Sequence, residues 1–176
     1  MFVGLLTALA AFALDQASKM WVFSFLANGR PVFELTPFFN LVMAWNTGVS
    51  FSMFDNLGGA GVYILSAFSL IVVGFLLYWL KDEKSVLIQM ALGMIIGGAV
   101  GNVVDRVRMG AVFDFLDIHA FGYHWPAFNL ADSFICIGAA LVICNGLFFN
   151  KEWDEPEKQG DFSEKTDTKS SVEAKK

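Results

Sequence analysis

Charge is scarce in the first 150 residues of this chain, which hold six Lys or Arg and nine Asp or Glu. Histidine and cysteine each occur twice. Neither His-Glu-x-x-His nor Gly-x-Ser-x-Gly occurs, and both histidines, His119 and His124, fall in one aromatic stretch. Zinc-hydrolase and serine-hydrolase chemistry therefore lack their usual residues. Cys136 and Cys144 are eight residues apart in one apolar segment, about 12 Å along a helix and too far for a bridge. Without histidines at ligand spacing they make no zinc site, and they are expected to be small apolar packing residues. No basic residues mark Met1–Leu14 as a secretory signal, although Ala11-Phe12-Ala13 resembles a cleavage site, so the segment is read as a retained first helix. No tandem repeat is evident.

Apolar residues fill the space that charge leaves. The chain is 56% hydrophobic, with 19 Phe, 5 Trp and a mean hydropathy of +0.55. Crossing the hydrocarbon layer takes about 20 apolar residues in a helix, and four stretches qualify: Met1 to about Phe25, Ala60 to Leu80, Ser85 to Val104, and Ala127 to Phe149. From Lys151 onward there are six Lys and eight Asp or Glu and little to pack. Mixed signs of this kind mark a solvated, disordered tail rather than a nucleic-acid arm. The expected organisation is a four-helix transmembrane unit over 1–150 and a charged tail over 151–176. Between helices 1 and 2, Phe33-Glu34-Leu35-Thr36 and Phe39 to Trp45, punctuated by Pro31, Pro37 and Gly48, read as a small sheet at the membrane interface. Between helices 3 and 4, Phe115 to Trp125 is expected to form a short amphipathic interfacial helix or loop. The fold class expected is thus an all-α membrane protein of four transmembrane helices, with a small sheet and a short interfacial helix at one boundary.

Four antiparallel spans gather Asp15, Lys19, Asn46, Asn102, Asp105, Arg106, Asp114, Asn129 and Asp132 at one membrane boundary. Lys81, Lys84, Lys151 and Lys158 flank the spans on the opposite side, against Lys19, Arg30, Arg106 and Arg108 on this one. The count ties. Setting aside Lys19 and Arg106 as members of polar clusters places the tail and the Lys81–Lys84 turn in the cytoplasm and the clustered residues outside.

Each polar group has a structural reading beside a functional one. Gly93, Gly97 and Gly101, every fourth residue on helix 3, are expected to let a neighbouring helix approach closely. Asp15 and Lys19 stand at i and i+4, in the favourable order for an ion pair; they either neutralise each other for insertion or support a site. Asn102, Asp105 and Arg106 share a helical face, where an end-of-helix salt bridge and cap would explain them. Asn46-Thr47-Gly48-Val49-Ser50-Phe51 makes a turn, or else presents donors from the Asn46 side chain and Gly48 backbone to a substrate carbonyl. Asn129 is the better cap for helix 4. That leaves Asp132, about five residues past the expected start of that helix, and Asp114 as carboxylates near hydrocarbon without a structural explanation. Two such acids support peptide hydrolysis without a metal. The ionised member takes a proton from water, and the neutral one donates to the carbonyl oxygen and then to the leaving amine. A carboxylate relay for protons or cations is the rival chemistry, disfavoured because the acids gather at one face and helix 2 carries none. A non-catalytic binding scaffold is a second rival.

Five blocks in order, Asp15-Gln-Ala-Ser-Lys19, Asn46 to Phe51, Gly101-Asn-Val-Val-Asp-Arg106, Val112-Phe-Asp-Phe115 and Phe128-Asn-Leu-Ala-Asp132, resemble the signature blocks of the bacterial lipoprotein signal peptidases, or signal peptidase II. The resemblance spans roughly residues 1–150. It implies an inner-membrane aspartic endopeptidase that removes signal peptides from prolipoproteins just before a diacylglyceryl-modified cysteine. Asp114 and Asp132 would form its dyad. Asn46 and Arg106 would help hold substrate, with Asp15, Lys19, Gly48, Asn102, Asp105 and Asn129 in support. Ser50 stands where the family more often has Ala. The expected partners are modified prolipoproteins and membrane lipids, without nucleic acid, metal or cofactor, and nothing requires more than a monomer.

Overall fold

The computed structural model describes residues 1–29, 31–48 and 60–148. The charged tail from Lys151 and the Val49-Ser50-Phe51 end of the second block lie outside the described residues. Among the described residues the elements run α1 (Phe2–Leu26), β1 (Val32–Thr36), β2 (Phe39–Asn46), α2 (Ala60–Asp82), α3 (Val86–Met109), β3 (Val112–Ala120), β4 (Tyr123–His124) and α4 (Leu130–Phe148). Three helical segments among the described residues, Gly61–Asp82, Val86–Met109 and Leu130–Phe148, are long and apolar enough to cross a membrane. Their outward faces carry exposed Tyr63, Phe68, Phe75, Ile143 and Phe148, as expected where hydrocarbon replaces water as solvent.

Helix α3 is the hub, with α1, α2 and α4 packed around it. Glycine makes this possible. A Cβ at Gly93 would meet the Gly4 carbonyl and Thr7, and one at Gly97 would meet the Ala8 carbonyl and Ala11, so α1 lies against this stripe. On another face, Gly98 touches the Ala131 carbonyl and Ile135 of α4, while Gly138 of α4 touches the Ala91 carbonyl. The sequence reading of the glycine stripe as a close helix approach holds. Contact with α4 runs through such small positions, and Ala131 and Gly138 are its buried residues. Cys136 and Cys144 are consequently exposed on α4. The expectation that they pack inside the protein fails because α4 turns most of its surface outward.

Two predicted elements change. Helix α3 runs on to Met109, where Gly110 takes the left-handed conformation (φ 72°) and returns its N–H to the Arg106 carbonyl at 3.0 Å. The sheet is larger than a hairpin between α1 and α2. It is an antiparallel four-stranded sheet in the order β1-β2-β3-β4, with half its strands from the α3–α4 connection. No interfacial helix forms there. Val112-Phe-Asp-Phe-Leu-Asp-Ile-His-Ala is a nine-residue strand, rich in the β-branched and aromatic residues that suit a pleated surface. It pairs along β2, with Ala44 opposite Asp114 and Asn46 opposite Val112. Phe121 and Gly122 turn β3 into β4 with positive φ at both positions (52° and 84°), as a two-residue hairpin of type I′ requires. Val22 and Leu26 of α1, Leu41 of β2, and Phe113 and Phe115 of β3 form a buried cluster that fixes the sheet on the end of α1.

Candidate active site

The Lys19 ammonium is 5% exposed and organises the polar layer beneath the sheet. It lies 2.9 Å from Asp15 Oδ2 and 2.8 Å from Asp105 Oδ2, and donates to Asn102 Oδ1 at 3.1 Å. The i, i+4 pair foreseen from sequence is present, and Asp105 joins it instead of pairing with Arg106. Asp15 is fully buried and accepts the Ala131 backbone N–H at the start of α4 (3.0 Å). Gln16, which had been given no role of its own, bridges the two acids, with Nε2 at 3.1 Å from Asp15 Oδ2 and 3.1 Å from Asp105 Oδ1. Its position inside the first block was the available signal. Asp105 also accepts the Phe113 N–H at 3.4 Å, tying α3 to the strand that carries Asp114.

Two asparagines then link Asp114 to Asp132. Asn129 Nδ2 donates to Asp114 Oδ1 (2.7 Å) and to Asn102 Oδ1 (3.1 Å). Asn102 Nδ2 donates to Asp132 Oδ1 (2.8 Å). Because Asn102 Oδ1 also accepts a hydrogen bond from the Lys19 ammonium, its amide orientation is fixed, and its Nδ2 faces the carboxylate. Asn129 Oδ1 accepts the Asp132 N–H (3.0 Å), and Asp132 Oδ2 accepts the Asn129 N–H (3.1 Å). That reciprocal exchange is a capping box. Asn129 is the cap, as expected. The expectation that capping leaves Asp132 unexplained is corrected: one of its oxygens serves the cap and the other faces Asn102. Since α4 begins at Leu130, Asp132 lies in its first turn and not about five residues deep.

Asp114 is 2% exposed. Burial pushes its carboxyl up to about 6; hydrogen bonding from Asn46 and Asn129 and the Lys19 charge oppose the rise, while the Asp132 charge adds to it. Asp114 also lines a cleft of about 290 Å³ with Asn46, Thr47, Trp45, Pro126 and Ala127 among its walls. Arg106 lies within electrostatic reach of Asp132, Asp114 and Asp105. Among the described residues its Nε is buried without a hydrogen-bond partner, and Asp105 forms its ion pair with Lys19 rather than with Arg106, so the salt-bridge explanation for the Asp105–Arg106 pair does not hold. Gly48 is placed differently from one sequence reading. Its N–H is taken by Asn46 Oδ1 at 2.8 Å, closing a side-chain turn, and is not free for a substrate. At Gly48 φ is 82°, and a Cβ would strike Leu65 of α2.

The structure therefore joins Asp15, Lys19, Asn102, Asp105, Asn129, Asp114 and Asp132 in one hydrogen-bonded and ionic network, with Asn46 and Arg106 at its edge. Such a network holds a buried acid of raised proton affinity at the wall of an open cleft, next to a second carboxylate and a cation.

The family model for signal peptidase (SPase) II matches residues 7–148. Lipoprotein signal peptidases of Aeromonas hydrophila and Methylorubrum extorquens are 46% and 44% identical over 150 and 146 residues. The first alignment covers 84% of this chain and 89% of the relative, the second 82% and 85%. A solved structure described as a bacterial membrane enzyme superposes with a TM-score of 0.70 at 29% identity, covering 89% of this chain and 94% of the other. Another with the same description gives 0.71 at 28% identity, covering 85% and 95%.

Proposed function

The chain belongs to the signal peptidase II family, and we propose that it is an aspartic endopeptidase with Asp114 and Asp132 as its dyad. The substrate class is prolipoprotein, cut just before the diacylglyceryl-modified cysteine. One observation carries this reading: Asp114 is buried at a cleft wall and holds its proton up to about pH 6, while hydrogen bonds through Asn129 and Asn102 connect it to Asp132.

The division of labour follows from proton affinity. Near pH 6 and below, the site carries a proton, because a carboxyl buried beside a second carboxylate resists ionisation. One carboxylate takes a proton from a water in the cleft as that water attacks the scissile carbonyl carbon. The protonated member donates to the carbonyl oxygen. Collapse of the tetrahedral adduct breaks the C–N bond, and a carboxyl proton goes to the departing amine. Arg106 and Asn46 orient the peptide from the cleft edge. Asp15, Lys19 and Asp105 hold α1, α3, α4 and β3 together behind the dyad.

Helix α1 supplies a fourth span, its Asp15 and Lys19 hidden from lipid by mutual pairing. The dyad faces the extracytoplasmic side of the inner membrane, the termini face the cytoplasm, and the protein works as a monomer. There a lipidated cysteine presents its acyl chains to hydrocarbon and its peptide to the sheet. The sheet and the β3–β4 hairpin clamp that peptide from above.

The deciding experiment incubates purified protein in lipid, with chelator, with a diacylglyceryl-modified prolipoprotein, beside Asp114→Asn and Asp132→Asn. Cleavage by wild type and at least a thousandfold loss in either folded variant are expected, on the order of 4 kcal/mol of barrier. Cleavage that survives both substitutions would remove the dyad from the mechanism. Ion flux in liposomes without cleavage would favour a carboxylate relay.

A further inference from the structure

A second polar network crosses the sheet away from Asp114. Glu34 stands opposite Asn40, Asn40 opposite Asp117, and His119 opposite His124. Asp117 is buried, at 6% exposure. Its Oδ2 accepts from Asn40 Nδ2 at 2.9 Å, and its two oxygens lie 2.9 and 3.0 Å from His124 Nδ1. The His119 ring stacks on His124 with centroids 4.8 Å apart. Both histidines of the chain thus converge on a carboxylate three residues beyond Asp114 on the same strand.

This contact braces a cleft wall. Beyond β4 the chain passes through Trp125 to Pro126 and Ala127, which line the cleft beside Asp114. The Trp125 N–H bonds the Ile118 carbonyl (2.8 Å), and Phe128 exchanges backbone bonds with Leu116 (3.1 and 2.8 Å). The arm is held by these backbone bonds and by one side-chain bond from a histidine that is itself 57% exposed. We propose that Asp117 and His124 are positioning residues, a strut that sets the height of the Pro126–Ala127 wall over the cleft and tightens when His124 is protonated.

Histidine changes charge near neutrality, and the protonated ring makes a charge-assisted bond where the neutral ring makes an ordinary one. Asp117 remains the anionic partner throughout. Burial raises its carboxyl, but hydrogen bonds from His124 and Asn40 and the charges of His124 and His119 outweigh this and hold it below the ordinary carboxylate range. Glu34 of β1 and His119 of β3 are the other titratable side chains on that face of the sheet, while Asp114 and Tyr123, an odd number of residues from Asp117 and His124 along their strands, stand on the opposite face.

The effect on substrate rests on the proteolytic reading of the cleft; the strut does not, so the test has two readouts. Hydrogen exchange of the 117–128 amides, corrected for intrinsic rate, is followed from pH 8 to pH 6 in the full chain in lipid. Protection of the Trp125 and Phe128 amides is expected to rise about fivefold toward pH 6, the scale of a partly exposed pair. His124→Phe abolishes that rise. His124→Asn, whose amide nitrogen stands near the Nδ1 position, keeps the protection of pH 8 without the rise. In the cleavage assay His124→Phe raises KM about fivefold and changes kcat less than twofold. Protection in His124→Phe equal to wild type at every pH would overturn the strut, as would a loss in kcat alone. Normal cleavage with flat protection would sink the strut and spare the protease. Responsive protection without cleavage would do the reverse.

Discussion

A carboxyl that keeps its proton up to about pH 6 has a cost to stability that can be measured. The Asp114 value lies above its ordinary 3.8, so between these limits the native state binds more protons than the unfolded one. Stability therefore falls as pH rises through that window, by about 2–3 kcal/mol from such a shift. Asp114→Asn removes the penalty while leaving an acceptor for Asn129. The variant is expected to unfold at higher temperature than wild type at pH 7.5, with the gap closing by pH 4. A variant less stable than wild type at pH 7.5 would mean that the ionised acid is well solvated. Lys19 presents the opposite case. It neutralises two buried acids, and Lys19→Met leaves Asp15 and Asp105 uncompensated. A loss of about 3–5 kcal/mol is expected, read by thermal unfolding in detergent and much reduced when both acids are also made amides.

Among the elements, helices were legible and long-range strand pairing was not. Apolar length alone located α2 nearly to the residue, because hydrocarbon thickness dictates it. The end of α3 was misjudged by five residues because Asp105 resembles a terminus until Lys19, from another helix, is seen to neutralise it. From Phe115 onward the strand Val112–Ala120 reads in sequence as a helix or loop, since its partner is β2, more than sixty residues away in sequence. The site was legible as residue types in ordered blocks. Its wiring through Gln16 and Asn102 was not, because amide orientation depends on who else bonds the same oxygen. The β3–β4 turn offers a test at this scale. Phe121 holds a positive φ while 102% exposed, so packing within the protein gives nothing in return for the strain. Phe121→Asn is expected to stabilise the hairpin by about 1 kcal/mol, visible as slower exchange of the β3–β4 amides.

At the scale of the whole molecule, the polar network, the sheet and the cleft share one end, and the turn after α2 lies at the other. Combined with the proposed substrate, that asymmetry implies an orientation where charge counting ties. Under the proposed function, a lipid-tethered peptide at the extracytoplasmic face meets the sheet first only if the Lys81–Lys84 turn is cytoplasmic. Site-specific labelling tests this directly. Cys136 and Cys144 face outward along the apolar α4, where a charged, membrane-impermeant maleimide does not reach them from water. Both are replaced by Ala, and a single cysteine is then introduced as Glu83→Cys or Tyr123→Cys, each in a variant that retains cleavage. In intact cells the reagent is expected to label the hairpin position and spare the α2–α3 turn, with both labelled after the membrane is opened. The reverse pattern would place the cleft at the cytoplasmic face, away from a lipidated peptide held at the extracytoplasmic face, and the proposed role in prolipoprotein processing would fall with it.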